Sequence, residues 1–445
     1  MGDPPGGEHD DRAEAVGDLP RRRAGRTLYG VNLQALRFAG LVGLVPLAAG
    51  SVHAQAGPLD TGLMHYRAAR LDSALPWFDR AVRDSPRHDD AHAWRAETAR
   101  RLGLVDTAVA AARRALEITA CHSFAHTVLA DALNPQYSDY PAASLDSTWA
   151  HLTRAVQCNP DDGNAWMGLW IQGMSRGDTA IERQALRRLV ATGFLTPPVL
   201  AYNRWVLDLL PPRTVLITNG DWDTYPAVAL QLVEARRPDI AIVNFPMLNL
   251  PWYVRLQRDR YGMPLAVTDE VLDAFQPFRD ATGQDIYLAD VIVRGWRAAA
   301  VEERLGRPLA YAATTGGELP RRGVGLVQWA GPYSLITSRV ADPDTAAIAR
   351  ALRAADARAF VGRDTSPIDR SAVRQSVETP VGANVLGMAV GYVELLTGRG
   401  STPEAVTVVE WIRTFVAVTG WTDGFTRQVL DWAGQTLAER RPPKE

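Results

Sequence analysis

The stretch Thr218-Asn219-Gly220-Asp221-Trp222-Asp223-Thr224-Tyr225-Pro226 puts two carboxylates and a carboxamide where an apolar run gives way to a helix-forming one. Val215-Leu216-Ile217 reads as a short buried strand, and Pro226 to Glu234 as a helix with proline in its first turn. In open α/β sheets, ligands bind in the crevice outside the carboxyl ends of the strands. A second polar pair, Asn244 and Asn249, follows the apolar run Ile240 to Phe245 and precedes Pro251-Trp252-Tyr253. If the two strands are parallel neighbours, both loops reach the same edge of the sheet. Acids and amides there accept and donate hydrogen bonds to hydroxyls, and tryptophan or tyrosine faces pack on sugar C–H surfaces. Asn219, Asp221, Asp223, Asn244, Asn249, Trp252 and Tyr253 are therefore the candidate ligand contacts. Other uses stay open. Two acids can hold a hard cation or act as an acid/base pair. Asp221 or Asp223 can instead cap the helix while Asn219 fixes the turn.

Absences narrow the chemistry. All eight histidines lie at or before His151, and Lys444 is the chain's only lysine. A Ser-His-Asp or Cys-His system in the α/β region is excluded, as are a Walker-type phosphate loop and a Schiff-base lysine. No G-x-S-x-G, H-E-x-x-H or G-x-G-x-x-G context occurs. No catalytic residue, metal ligand or cofactor is assigned. A formal net charge of -2 offers no footprint for nucleic acid.

The elements that must position the polar loops come in two kinds. Ala74, Phe78 and Ala81 recur thirty-four residues later as Ala108, Ala112 and Ala115, and Pro86 is matched by Ala120. This period resembles the tetratricopeptide repeat, with Gly62 and Gly103 at its small-residue and turn positions. A third, longer unit runs to Pro160, its extra length carried by Asn134 to Tyr140. A fourth starts at Asp161 to Trp166, echoing Asp89 to Trp94. Stacked helical hairpins are expected from about 58 to 210, with Trp94 and Trp166 in the core and a groove suited to a protein partner. Cys121 opens the third unit and Cys158 nearly closes it, so a disulfide across that hairpin and two buried thiols are both consistent with the spacing. His88-x-x-x-His92 and His122-x-x-x-His126 have metal-ligand spacing, but each pair straddles a repeat boundary, which favours repeat-position usage.

After Leu209-Leu210-Pro211-Pro212 the pattern becomes β-α-β-α, with strands at 214–218, 240–245, 309–314 and 325–329 and helices from about Tyr225, Trp252 and Asp290. Asp290 reads as a helix N-cap. Helices follow at about 344–355, 381–396 and 403–418. The fold class is thus multidomain α plus α/β: tetratricopeptide-like hairpins (55–210), a small, mostly parallel α/β sheet domain (211–340) and C-terminal helices (341–445). Residues 1–54 read as a signal peptide or N-terminal anchor, with Arg21-Arg22-Arg23 and Arg26 before the apolar run Leu36 to Ala49 and small residues at Val52-His53-Ala54. Export to a bacterial periplasm or secretion follows, with membrane proximity if the segment is retained.

Read together and in order, Thr218 to Pro226, Arg237-Pro238-Asp239, Val243-Asn244, Leu248 to Tyr253 and Arg307 to Ala312 resemble the soluble C-terminal region of bacterial protein O-mannosyltransferase-like membrane glycosyltransferases. The resemblance covers about Leu200 to Thr337. It implies a glycan-related or partner-binding module and carries no transferase activity, because nothing here corresponds to the family's multi-span membrane region. The expected function is an exported, non-catalytic binding or scaffold protein for a glycan, glycopeptide or protein partner. Carboxylate-dependent glycosyl transfer or hydrolysis, and a purely structural assembly factor, are the alternatives.

Overall fold

The computed structural model describes residues 57–440 except 266, 318 and 362–370, with the backbone alone for 371–382 and 437–440. The leader expected at 1–54 lies outside the described residues. Eight helices form four antiparallel hairpins: α1 (Pro58–Arg67) with α2 (Leu71–Asp84), α3 (Asp89–Arg101) with α4 (Val105–Ile118), α5 (Ser123–Ala132) with α6 (Leu145–Cys158), and α7 (Gly163–Arg176) with α8 (Thr179–Ala191). The repeat residues explain why they stack. Ala74, Phe78, Ala108, Ala112 and Ala115 are wholly buried, small enough for helices to approach or, in Phe78, large enough to fill the gap. A Cβ on Gly62 would stand 2.6 Å from the Phe78 ring, so α1 and α2 touch at a point only glycine allows. Gly103 ends the α3 turn with φ +76°.

The first helices of successive hairpins lie against one another, α1 on α3, α3 on α5 and α5 on α7, more closely than the second helices do. One side of the array is therefore a continuous surface of first helices. Cys121 and Cys158 are joined in a disulfide that closes the end of the α5–α6 hairpin opposite its loop. At the loop end, Ser144 N–H donates to Leu133 C=O at 2.9 Å.

A ninth helix, α9 (Pro197–Leu209), leads into a five-stranded sheet. The strands are β1 (Val215–Thr218), β2 (Ala241–Asn244), β5 (Leu309–Ala312), β6 (Leu326–Trp329) and β7 (Tyr333–Thr337); β3 (Phe278–Arg279) and β4 (Asp285–Ile286) form a separate hairpin. The sheet order is β2-β1-β5-β7-β6. β1 pairs in parallel with β2 and with β5, while β7 runs antiparallel to both β5 and β6. The sheet is thus mixed, which corrects the mostly parallel expectation. The unforeseen strand is β7, reached from β6 by a tight turn in which Ala330 N–H donates to Tyr333 C=O and Gly331 takes φ +105°. The Gly331-Pro332 pair was the available signal.

Helices α10 (Asp221–Val233), α11 (Pro251–Tyr261), α12 (Asp269–Ala274) and α13 (Leu288–Val301) connect the strands; α14 (Thr345–Ala354), α15 (Ser371–Gly398), α16 (Thr402–Thr419) and α17 (Gly424–Arg440) follow. One apolar core runs from α5 through the sheet to α17. Helix α9 joins the parts: Trp205 Nε1 donates to Ala351 C=O at 2.9 Å, Tyr333 Oη to Leu209 C=O at 2.9 Å, and Arg237 Nη1 to the carbonyls of Leu207 and Leu210. Among the described residues no helix is long and apolar enough to cross a membrane.

Candidate functional site

β1 sits between β2 and β5, and the connections from its end and from β5 diverge. In open sheets that divergence opens the ligand crevice. The sequence at the end of β1 decides what stands there. Helix α10 begins at Asp221, a full turn before Tyr225, so Pro226 lies inside the helix. Proline offers no N–H to the carbonyl four residues back. That carbonyl, on Trp222, instead accepts from Asn203 Nδ2 of α9 at 3.0 Å. The early start places both acids in the first helical turn.

Asp223 is buried and satisfied. Its carboxylate accepts from Asn219 N–H at 2.8 Å, from Gly220 N–H at 2.9 Å and from the Thr314 hydroxyl beyond β5. It ties the two diverging strand ends together as it caps α10. Burial still pushes its carboxyl above the usual range. Asp221 is partly buried. Burial raises its carboxyl to about 7, the Asp223 charge adding to the effect and a hydrogen bond with Tyr225 opposing it. Asn219 leaves its side chain exposed. Nearby on α9, the Tyr202 hydroxyl is buried without a hydrogen-bond partner and feels the Asp223 charge.

The residues after β2 are committed to architecture. Asn244 donates from Nδ2 to Thr224 Oγ1 at 3.1 Å and accepts from Met247 N–H at 3.1 Å. Asn249 holds the start of α13 by accepting from Ala289 N–H at 3.1 Å, and donates to Pro246 C=O. Tyr253 is 3% exposed, and its hydroxyl accepts from Asn244 N–H. Its ring is core, which corrects the stacking role expected of it. Trp252 is partly buried, edge-on to Tyr253, with its Nε1 buried and unpaired. Trp222 stacks on Phe194 at 5.6 Å. The structure thus brings Asn219, Asp221 and Asp223 together with Thr314, and turns Asn244, Asn249 and Tyr253 inward. Asp290 stands in the first turn of α13, its carboxylate accepting from Tyr287 N–H, one turn inside the N-cap position expected of it.

The surface of first helices holds a polar ladder that sequence reasoning passed over. Tyr66 Oη of α1 donates to Glu97 of α3 at 2.9 Å, and Arg100 forks onto the same carboxylate at 2.8 and 3.0 Å. Arg100 also approaches Asp131 of α5, at 3.7 Å. Asp162, the N-cap of α7, accepts from Ser123 and Thr127 of α5. Burial holds the Asp131 carboxyl at about 6, against the pull of Arg100. The signal was faint but present: Glu97 and Asp131 stand one repeat apart, at the same position of successive units. Alongside, Tyr66, Trp94 and Phe124 form a row of half-buried rings with centroids 5.1 and 4.6 Å apart.

The histidine pairs serve the repeats. His88 and His122 are N-caps whose rings accept from Ala91 and Ala125 N–H, while the His92 and His126 rings face the carbonyls of Pro86 and Ala120. His126 and His151 meet at 3.0 Å between Nδ1 atoms. His88, Asp89 and Asp90 offer ligand atoms within 4.8 Å of one another.

Comparison with known proteins finds similarity to one family and to several solved structures. Residues 200–270, which carry α9 to α11, match the family described as TMEM260-associated domain 2, inside the stretch that bears the glycosyltransferase resemblance. No curated protein matches the sequence. Solved structures similar to this chain include a thermophilic TPR protein of Thermus thermophilus, at 22% identity over 40% of this chain and 90% of that one, TM-score 0.30. MamA is similar at 13% identity over 46% and 98%, TM-score 0.26. The TPR domain of P58(IPK) is similar at 13% over 86% and 99%, TM-score 0.21.

Proposed function

We propose that this protein is a non-catalytic scaffold that holds a protein partner on the face built by α1, α3, α5 and α7. The observation that carries this reading is the continuity of that face: first helices stacked side by side, cross-linked by side chains from Tyr66 to Asp162. Arrays of this kind use such an extended surface for recognition. The Cys121–Cys158 disulfide fits an oxidising compartment and so supports export to a periplasm or secretion. The test is capture of a partner from extract of the source cells by the full chain. Charge and ring changes on the face, Arg101→Glu and Phe124→Ala, abolish capture, while Asp221→Asn leaves it intact. Capture that survives the face variants and fails with Asp221→Asn refutes the reading.

A second reading, recognition of a glycan or glycopeptide at the strand ends, is favoured by one observation. The exposed Asn219 side chain and the partly buried Asp221 lie at the β1–β5 divergence, where hydroxyl groups would find both donors and acceptors. Glycan-array binding lost in Asp221→Asn at unchanged melting temperature supports it, and binding unchanged in that variant removes it.

A further inference from the structure

Of the chain's nine asparagines, only Asn219 is followed by glycine. The two other asparagines at the strand ends are held through both polar atoms of their side-chain amides, Asn244 by Thr224 and Met247, and Asn249 by Pro246 and Ala289. Asn219 is not. Its side chain is exposed and makes no hydrogen bond among the described residues. The amide that follows it is turned toward a base: Gly220 N–H donates to Asp223 Oδ1 at 2.9 Å, while Asn219 N–H and the Thr314 hydroxyl bond to the other oxygen. A general base must lie within about 2.6–3.2 Å of the atom whose proton it takes, and Asp223 does. Burial holds its carboxyl above the usual range, which makes it a stronger base than a surface aspartate. Glycine also leaves room. A Cβ at Gly220 would meet nothing within 4 Å, and its backbone is extended at φ -169° and ψ -154°, so no neighbour blocks the approach of the Asn219 amide carbon.

We infer that Asn219 is a self-modification site, at which the Gly220 amide nitrogen attacks the Asn219 side-chain carbon with Asp223 as general base. The Gly220 proton passes to Asp223 Oδ1 as the N–Cγ bond forms; the Cγ–Nδ2 bond then breaks, and the leaving nitrogen takes up that proton and departs as ammonia. A five-membered succinimide remains. Water opens it at one carbonyl or the other, giving aspartate or isoaspartate at position 219. The net change consumes one water and releases one ammonia, with nothing oxidised or reduced. Either product sets a third carboxyl beside Asp221 and Asp223. Isoaspartate also adds a methylene to the main chain between the two amides that Asp223 holds, which loosens the cap of α10. The modification rests on neither reading of function above.

The full chain is incubated at neutral pH, either folded or unfolded in urea. Peptide mass mapping follows the gain of one mass unit at position 219, and retention separates aspartate from isoaspartate. Unfolding keeps the Asn-Gly pair and takes Asp223 away from Gly220, so the ratio of the two rates reads the base. The folded chain reacts at least about tenfold faster, a part of the roughly 100-fold or more that a positioned base supplies, because the turn must flex to close the ring. Asp223→Asn keeps an acceptor and loses the base, and its rate falls to that of the unfolded chain or below. A smaller ratio between folded and unfolded wild type overturns the inference. So does Asp223→Asn that reacts as fast as wild type or faster at unchanged melting temperature, since the carboxylate would then only restrain the turn. If Asp223→Asn does not fold, the wild-type comparison decides alone.

Discussion

Breaking the Cys121–Cys158 bond is the sharpest perturbation of the array. The two sulfurs close a chain segment with a sequence separation of 37. On the loop-entropy account a link of that span stabilises the fold by about 4 kcal/mol, because it removes freedom from the unfolded segment. The geometry says where that energy is felt. α5 and α6 are held at one end by the turn that Ser144 and Leu133 close, and at the other by the disulfide. Releasing it lets the hairpin open from its Cys end, so the loss falls on α5 and α6 first. The assay is amide hydrogen exchange, read by peptide mass, on the wild type and on the Cys121→Ser/Cys158→Ser double variant. If the hairpin opens as a unit, about 4 kcal/mol speeds exchange of its protected amides by roughly a thousandfold. Amides of β1 and β5 keep wild-type protection. Exchange in α5 and α6 within a factor of about three of wild type would refute the argument, and so would an equal loss in the sheet.

Four further outcomes follow from the geometry. Asp223→Ala strands the amides of Asn219 and Gly220 and releases Thr314, costing about 2–4 kcal/mol in urea denaturation; a cost below about 0.5 kcal/mol would show that the carboxylate does not cap α10. Gly62→Ala drives a methyl group into the Phe78 ring and costs about 1–3 kcal/mol, with a lower melting temperature and no change in the sheet. Asp221 has a folded-state carboxyl raised to about 7, so its contribution is complete below the ordinary aspartate value and is lost as pH rises through about 7. The wild type should therefore lose stability relative to Asp221→Asn between about pH 4 and 7, and parallel stability curves for the two would remove the assignment. His126 and His151 work the other way. Burial holds both below the ordinary histidine value, so their contribution is present above about pH 6.5 and fades as pH falls, a trend that His151→Gln flattens.

The hairpins were legible because their message is written in small apolar residues at fixed spacing, and those residues are the buried ones: Ala74, Ala108, Ala112 and Ala115. β1, β2 and β5 were legible as short apolar runs buried along their length. β7 was not, because Ser334, Leu335 and Thr337 are only partly buried and the strand alternates weakly. At the strand ends, residue types located the polar cluster but not its allegiance. Asn244 and Asn249 look in sequence like Asn219, and only the positions of Met247 and Ala289 turn them into supports. The ladder on the first helices was hidden for a related reason. Glu97 and Asp131 read as parts of solvated helix faces until the stacking of α1, α3 and α5 brings Tyr66 and Arg100 against them.

Helix α9 sets the size of the smallest portable piece. It follows the last hairpin without break, yet its hydrogen bonds go to Ala351, Tyr333, Arg237 and Trp222 on the far side of the boundary. A cut after residue 210 would leave Trp205 and Asn203 without the groups they serve and would strip the sheet of one wall. A graft of this sheet onto a different array must therefore start at Thr196, the residue that opens α9. The stretch shared with the TMEM260-associated domain begins at residue 200, within that same helix. That stretch also takes in β1 and β2, and α10 at their ends packs Tyr225 against Trp170 of the last hairpin, so exchanging that hairpin would reach the strand ends.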